Sequence, residues 1–397
     1  LDLTVEDIIY MLNPWWEWRN WEDKDSDLRK LRKAKIKWSP PWIKNISLKP
    51  FSLNFITGPR QVGKTTGVKI LVKKLLSQTV PKAVFYYNCD FISSSKELKK
   101  IIDFYLKIKH SNKINISYII LDEVTGVEYW WKIIKGYIDL GVFENDVLIV
   151  LGSASFRLRK FAEAFPGRRG YGTTIEVLPL NFREYIQVHG EKPLKSNYIK
   201  VKTLFEKYLN TGGFPRSINE DPEFFKDLIF SIERDIAKTG KSPKIFRMIL
   251  HSILEKAPSP VGYHTIAQEI GISHNTVREY LELMEDLFIV GVAYWKQGNK
   301  ISFRKEKKIF LRDPYLAKTF SMILGVDTRK DYLYEWIVQE HLYRKYSEIY
   351  YWRNSYEIDC LAGNLKIEVE AGKPHRRYPR GVTVIDEEKL PLFLLDL

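Results

Sequence analysis

Four short apolar runs stand out between residues 51 and 154: "FSLNFIT", "AVFYYNC", "ISYIILDE" and "DVLIVLGS". Runs of this length read as buried strands, and the stretches between them, apolar every third or fourth position, read as amphipathic helices. Such alternation from residue 50 to about 190 predicts an α/β fold with a parallel sheet and helices on both faces. From about 195 to 256 the pattern is helical, until Pro258 and Pro260 interrupt it. "YHTIAQEIGISHNTVREYLELMEDLFIVGVAYW" then reads helix, turn, helix, strand. The last block, from about 313, carries a helix, "YLYEWIVQEHLYRKY", and three strands, "EIYYWR", "YEIDCLA" and "LKIEVE". No internal repeat interrupts this order.

The first 45 residues differ. Trp15, Trp16, Trp18, Trp21, Trp38 and Trp42 surround a basic helical stretch, "LRKLRKAKIK". Tryptophans at this density read as packing anchors of an N-terminal cap.

Composition narrows the function classes. The chain has 397 residues, 45% of them hydrophobic, which is enough for several cores. Its 63 Lys and Arg against 49 Asp and Glu give a formal charge of +14, a balance that favours a polyanionic partner. Cys89 and Cys360 lie far apart in sequence, so neither a disulfide framework nor a zinc site is expected. The N-terminus has no basic stretch of a signal peptide and no apolar run has membrane-spanning length. A cytoplasmic location without a membrane partner is therefore expected.

"FITGPRQVGKTT" contains a complete GxxxxGK[ST] motif between a strand and a helix. Gly58, Pro59, Arg60 and Gly63 form the loop whose backbone N–H groups would cradle phosphates. Lys64 would reach the β and γ phosphates, and the Thr65 hydroxyl would ligate Mg²⁺, with Thr66 beside it. "YIILDE" ends a strand in two acids: Asp122 would hold Mg²⁺ and Glu123 would act as general base. Ser153 or Ser155, at the end of "VLIVLGSAS", would sense the γ-phosphate. ATP and Mg²⁺ are the cofactors this pattern implies.

"TIAQEIGISHNTVREYLELMED" has the pattern of a helix-turn-helix. Ile266, Ala267 and Ile270, then Val277, Leu281 and Met284, form an inner face; Gly271 makes the turn and Ser273 caps the second helix. His274, Asn275 and Arg278 are left outside, where they would meet a major groove. A basic wing follows, with Lys296, Lys300, Arg304, Lys305, Lys307 and Lys308 as phosphate contacts.

Taken in order, "GPRQVGKTT", "ILDEV", "LGSAS", "FPGRRG" with "LPLNFREY", and "YLNTGGFP" resemble the archaeal-type P-loop ATPases of the AAA+ and STAND radiation. Relatives in that group carry a winged helix and often a restriction-endonuclease-like C-terminal domain. After the Trp-rich segment (1–45), the resemblance implies a P-loop ATPase core (46–190), a helical lid (191–245), a winged helix (246–312) and a restriction-endonuclease-like domain (313–397). It implies that Arg168 contacts the γ-phosphate, in cis or from a neighbouring subunit, and that Pro215 of "GGFP" packs near the adenine. It also implies that Asp359 and Glu368 hold a divalent cation, with Glu335 as a third oxygen ligand. The sequence departs from the nuclease pattern at Glu370, where a lysine is usual; Lys373 stands nearby.

This reading describes a Mg²⁺-dependent ATPase that couples ATP binding and hydrolysis to engagement of duplex or branched DNA, with a nuclease-like domain of weak or no activity. Two alternatives stay open: a STAND-like switch acting on a protein partner or through self-association, and an ATP-gated DNA endonuclease.

Overall fold

Every one of the four apolar runs is a strand, and they pair in parallel. In the computed structural model, which describes residues 3–153, 165–372 and 378–397, the chain divides into two units at Leu178 and Pro179. Ser155 and Lys373 lie outside the described residues.

The first unit begins with helices α1 (Val5–Leu12) and α2 (Ser26–Lys33). Strand β1 (Ser52–Thr57) leads through the glycine-containing loop into α3 (Lys64–Leu76). Strand β2 (Val84–Asn88), α4 (Ser95–Ser111), β3 (Tyr118–Asp122), α5 (Trp130–Asp139), β4 (Val147–Gly152) and β5 (Thr174–Glu176) complete it. The sheet order is β2-β3-β4-β1-β5, parallel throughout. β1 and β4 are buried at all six positions, as strands covered on both faces must be. Ser94 and Glu97 form a capping box that fixes the start of α4.

The tryptophan-rich segment packs on this sheet. Trp15 and Trp16 each donate an indole N–H to the Val84 carbonyl, at 2.9 and 3.0 Å. Asn13 donates to the Tyr86 carbonyl at 2.9 Å and accepts from the Tyr86 N–H at 2.7 Å, so its amide acts as one residue of an additional strand on the edge of β2.

The second unit opens with α6 (Phe182–Val188), α7 (Tyr198–Thr211), the short α8 (Pro215–Ile218), α9 (Phe224–Lys238) and α10 (Pro243–Lys256). The predicted helix-turn-helix is α11 (Tyr263–Ile270) and α12 (His274–Asp286). Gly271 ends α11 at φ +71°, and the Ser273 hydroxyl accepts from the Thr276 N–H. Strands β6 (Val290–Gln297), β7 (Lys300–Ser302) and β8 (Lys308–Leu311) follow, then α13 (Pro314–Leu324) and α14 (Lys330–Tyr346). The chain ends with β9 (Tyr350–Arg353), β10 (Glu357–Ala362), β11 (Leu365–Val369), β12 (Thr383–Ile385) and α15 (Leu390–Asp396).

The order in the second sheet is β12-β11-β10-β9-β6-β7, with β8 also on β6. β6 therefore serves three partners, with Trp295 to Gln297 pairing antiparallel with β7. Val290 to Ala293 pair with β8, and Tyr294 and Trp295 pair in parallel with Tyr350 and Tyr351 of β9. The β6–β7 hairpin and the C-terminal strands are one continuous sheet.

Candidate nucleotide site and C-terminal carboxylate cluster

The loop between β1 and α3 is built for close approach. A Cβ on Gly58 would lie 2.0 Å from the Val177 carbonyl oxygen, and Gly63, which caps α3, sits at φ +87°. Lys64 is buried and donates to the carbonyls of Gly58 and Pro59, at 2.9 and 2.8 Å. Its ammonium thus folds back over the loop that would hold phosphate oxygens.

β3 runs beside β2 and brings its acids to this loop. Thr65 Oγ1 donates to Asp122 Oδ2 at 2.7 Å, and Tyr86 donates its hydroxyl to the same oxygen at 2.9 Å. Asp122 Oδ1 accepts from the Glu123 N–H at 2.9 Å. Burial, and next the charge of Glu123, push the Asp122 carboxyl up from its ordinary value. A hydroxyl and a buried carboxylate in contact form an oxygen donor set that fits a magnesium ion. Glu123 adopts φ +50°, and its carboxylate pairs with Arg60 of the loop at 3.3 Å. Ser153 is buried at the end of β4, the strand between β3 and β1.

Arg168 is placed elsewhere. Its neighbours Arg169 to Tyr171 hydrogen-bond along the start of β1: the Leu53 N–H donates to the Arg169 carbonyl and the Tyr171 N–H to the Phe51 carbonyl. The phosphate loop follows the other end of β1, about 17 Å away at the rise of a strand. Arg168 pairs there with Asp139 of α5. The expectation of a γ-phosphate contact in cis is corrected: the strand length separates the two. Pro215 occupies the first turn of α8 in the second unit.

On α12, His274, Asn275 and Arg278 are exposed, as are Lys300, Arg304 and Lys305 of the expected wing, with Lys296 half-buried. Lys307 and Lys308 are corrections, since both are buried where the sequence shows only a basic run. Successive residues of an extended chain point to opposite sides, so the two ammonium groups are buried in different places. Lys307 donates to the carbonyls of Phe303 and Lys305 and lies over the Tyr263 ring. Lys308 enters the C-terminal carboxylate cluster.

That cluster joins α14, β10 and β11. Lys308 Nζ lies 2.8 Å from Glu335, 2.6 Å from Asp359 and 2.5 Å from Glu357. Burial alone would lower the Lys308 ammonium; the charges of Asp359, Glu335 and Glu357 outweigh it and hold the group well above its ordinary value. Glu368, on the neighbouring strand, accepts from the Tyr378 hydroxyl at 2.7 Å, and the same hydroxyl reaches Glu370 at 3.1 Å. The structure therefore brings Glu335, Asp359 and Glu368 into one region. Glu357 and Lys308 complete it, and sequence reasoning missed both roles; no local motif marks them. Tyr86 and the pairing of Arg60 were likewise invisible, because they arise from strand order.

Residues 51–186 match the model of a family described as an AAA domain. The nucleotide loop and both strand-end acids fall within this AAA segment. Residues 202–329 match a model described only as a domain of unknown function, DUF8612. Over 345 residues the chain is 25% identical to an uncharacterized protein of Methanocaldococcus jannaschii, covering 80% of this chain and 73% of that protein. It is 27% identical over 257 residues to an uncharacterized protein of Haemophilus influenzae, covering 60% of this chain and 61% of that one. Among solved structures, the Aeropyrum pernix ORC2 protein overlaps 69% of this chain and 88% of its own, at 12% identity and a TM-score of 0.41. Among the described residues no helix is long and apolar enough to cross a membrane.

Proposed function

We propose that the AAA segment binds and hydrolyses ATP, and that nucleotide state changes how the second unit engages DNA. The observation that carries the first half is the contact of Thr65 with Asp122 beside the Lys64 loop, since three chemically different groups converge on one strand end. In this reading the loop N–H groups and Lys64 hold the β and γ phosphates. Thr65 and Asp122 hold Mg²⁺, which when bound neutralises charge on those phosphates. Glu123 accepts the proton of a water whose oxygen attacks the γ-phosphorus; the bond to the bridging oxygen breaks and ADP and phosphate leave. Arg60, paired with Glu123, must yield that carboxylate for it to act as base. Ser153, at the end of β4, would sense the γ-phosphate, and Arg168 would reach a phosphate only in a neighbouring copy.

The DNA half rests on the exposed start of α12 and on the wing residues Lys300, Arg304 and Lys305, in a chain of formal charge +14. The test is a salt-titrated binding assay on duplex, single-stranded and branched DNA, with and without ATP, alongside phosphate release. Binding that changes with nucleotide supports the reading. ATP hydrolysis without DNA binding at low salt replaces it with a switch directed at a protein partner.

A further inference from the structure

Lys308 opens β8, and its side chain is 2% exposed. An ammonium has three donors. Here it meets three carboxylates: Glu335 from α14, and Glu357 and Asp359 from β10, all at 2.5–2.8 Å. The remaining contacts are also made within the protein. Asp359 Oδ2 accepts from the Val369 N–H at 2.9 Å, and Glu335 Oε1 accepts from Gln339 at 2.7 Å. Among the described residues, Glu368 Oε2 has no hydrogen-bond partner.

The resemblance to a nuclease would place a divalent cation between Asp359 and Glu368, with Glu335 as a third ligand. Such an ion needs several oxygens within about 2.0–2.6 Å of one point. The point shared by Asp359 and Glu335 is taken by Nζ. A divalent ion there would sit against a positive charge in a low-dielectric interior, where like charges repel most strongly. These residues, as arranged, do not fit the metal.

We propose that Lys308 is the resident cation of this cluster. Its ammonium takes the place of a divalent ion and pins β8 to α14 and β10. The nuclease-like sheet is then a latched body that holds nucleic acid without cutting it. The inference deepens the DNA-engaging reading, yet it stands on the cluster alone, so it is tested without DNA or nucleotide.

The experiment titrates Mn²⁺ into the full chain by calorimetry and electron paramagnetic resonance. It compares wild type, Asp359→Asn, Lys308→Met and the Lys308→Met/Asp359→Asn double variant. Wild type and Asp359→Asn should bind the same number of ions. Lys308→Met should gain one, with Glu368 Oε2 now serving as a ligand, and the double variant should lose it again. Removing one partner of a buried ion cluster leaves charge uncompensated, so Lys308→Met should melt about 6–20 °C lower without metal and recover part of that in Mn²⁺. If Lys308→Met is unfolded without metal, Mn²⁺ should restore its melting transition, and failure to do so overturns the proposal. So does a wild-type ion that Asp359→Asn abolishes, or a folded Lys308→Met that gains none.

Discussion

The hydroxyl of Tyr86 donates to Asp122 Oδ2 at 2.9 Å, the oxygen that also accepts from Thr65. Burial, and then the charge of Asp122, push the Tyr86 hydroxyl well above its ordinary value, so it stays a donor. Tyr86 is thus a positioning residue for the acid that would hold Mg²⁺. In Tyr86→Phe the carboxylate loses a hydrogen bond of about 1.5–3 kcal/mol. The Mg²⁺ concentration for half-maximal ATP hydrolysis should rise about tenfold or more, while nucleotide affinity measured in chelator stays unchanged. An unchanged Mg²⁺ dependence would remove Tyr86 from this role.

Lys64 and Glu123 should separate binding from turnover. Lys64→Ala removes the cation over the loop, so ATP affinity and phosphate release should fall together. Glu123→Gln keeps the loop and removes the base; ATP should bind as before while turnover drops by about 10²–10⁴-fold. Equilibrium binding of a fluorescent ATP analogue and steady-state phosphate release give both quantities. Normal turnover in Glu123→Gln would show that another group takes the proton.

The basic run after β6 is testable residue by residue, because two of its lysines are buried. Replacing Lys300, Arg304 and Lys305 with Ala should lower the slope of log K against log salt by about 0.9 for each duplex phosphate that is no longer neutralised. Lys307 is excluded from the set, because its ammonium is spent on backbone carbonyls. An unaltered slope would place the DNA-binding surface elsewhere.

His341 supplies a pH prediction. Its Nε2 accepts from the Phe182 N–H at 3.0 Å and its Nδ1 meets the Ile337 carbonyl at 2.7 Å, which fixes the neutral tautomer with the proton on Nδ1. Burial, and next the charge of Arg344, lower it to about 4. The unfolded chain takes up this proton near pH 6.5 and the folded chain only near 4, so stability rises with pH across that window. The contribution is at most about 3 kcal/mol. Urea melts of wild type and His341→Gln between about pH 4 and 6.5 should converge toward the acid end. Parallel curves would mean that His341 is not held neutral by folding.

The two sheets were not equally legible in the sequence. β1 to β4 are visible because strands covered on both faces read as largely apolar runs, and the motif residues sit at the ends of β1, β3 and β4. The helix-turn-helix is visible because Gly271 and Ser273 mark its corner chemically. Lys308 is hidden because a strand turns alternate residues inward, and "RKEKK" gives no sign of where β8 begins. Arg168 misleads for a different reason: a motif carries residue identity but not which end of a strand it lies against. Long-range pairs such as Arg60 with Glu123 or Tyr86 with Asp122 depend on sheet order, which no local pattern encodes.

The amide of Asn13 and the indoles of Trp15 and Trp16 occupy the outer edge of β2. An uncovered edge strand is a template on which another chain can add itself. β2 is largely apolar and almost wholly buried, so stripping away residues 3–25 would expose a sticky ladder at the edge of the parallel sheet. An expression fragment trimmed to start at β1, the natural choice from motif boundaries, should therefore precipitate or form chains of copies. The tryptophan-rich segment acts as the sheet's selvedge, and any attempt to isolate the first unit has to carry it along.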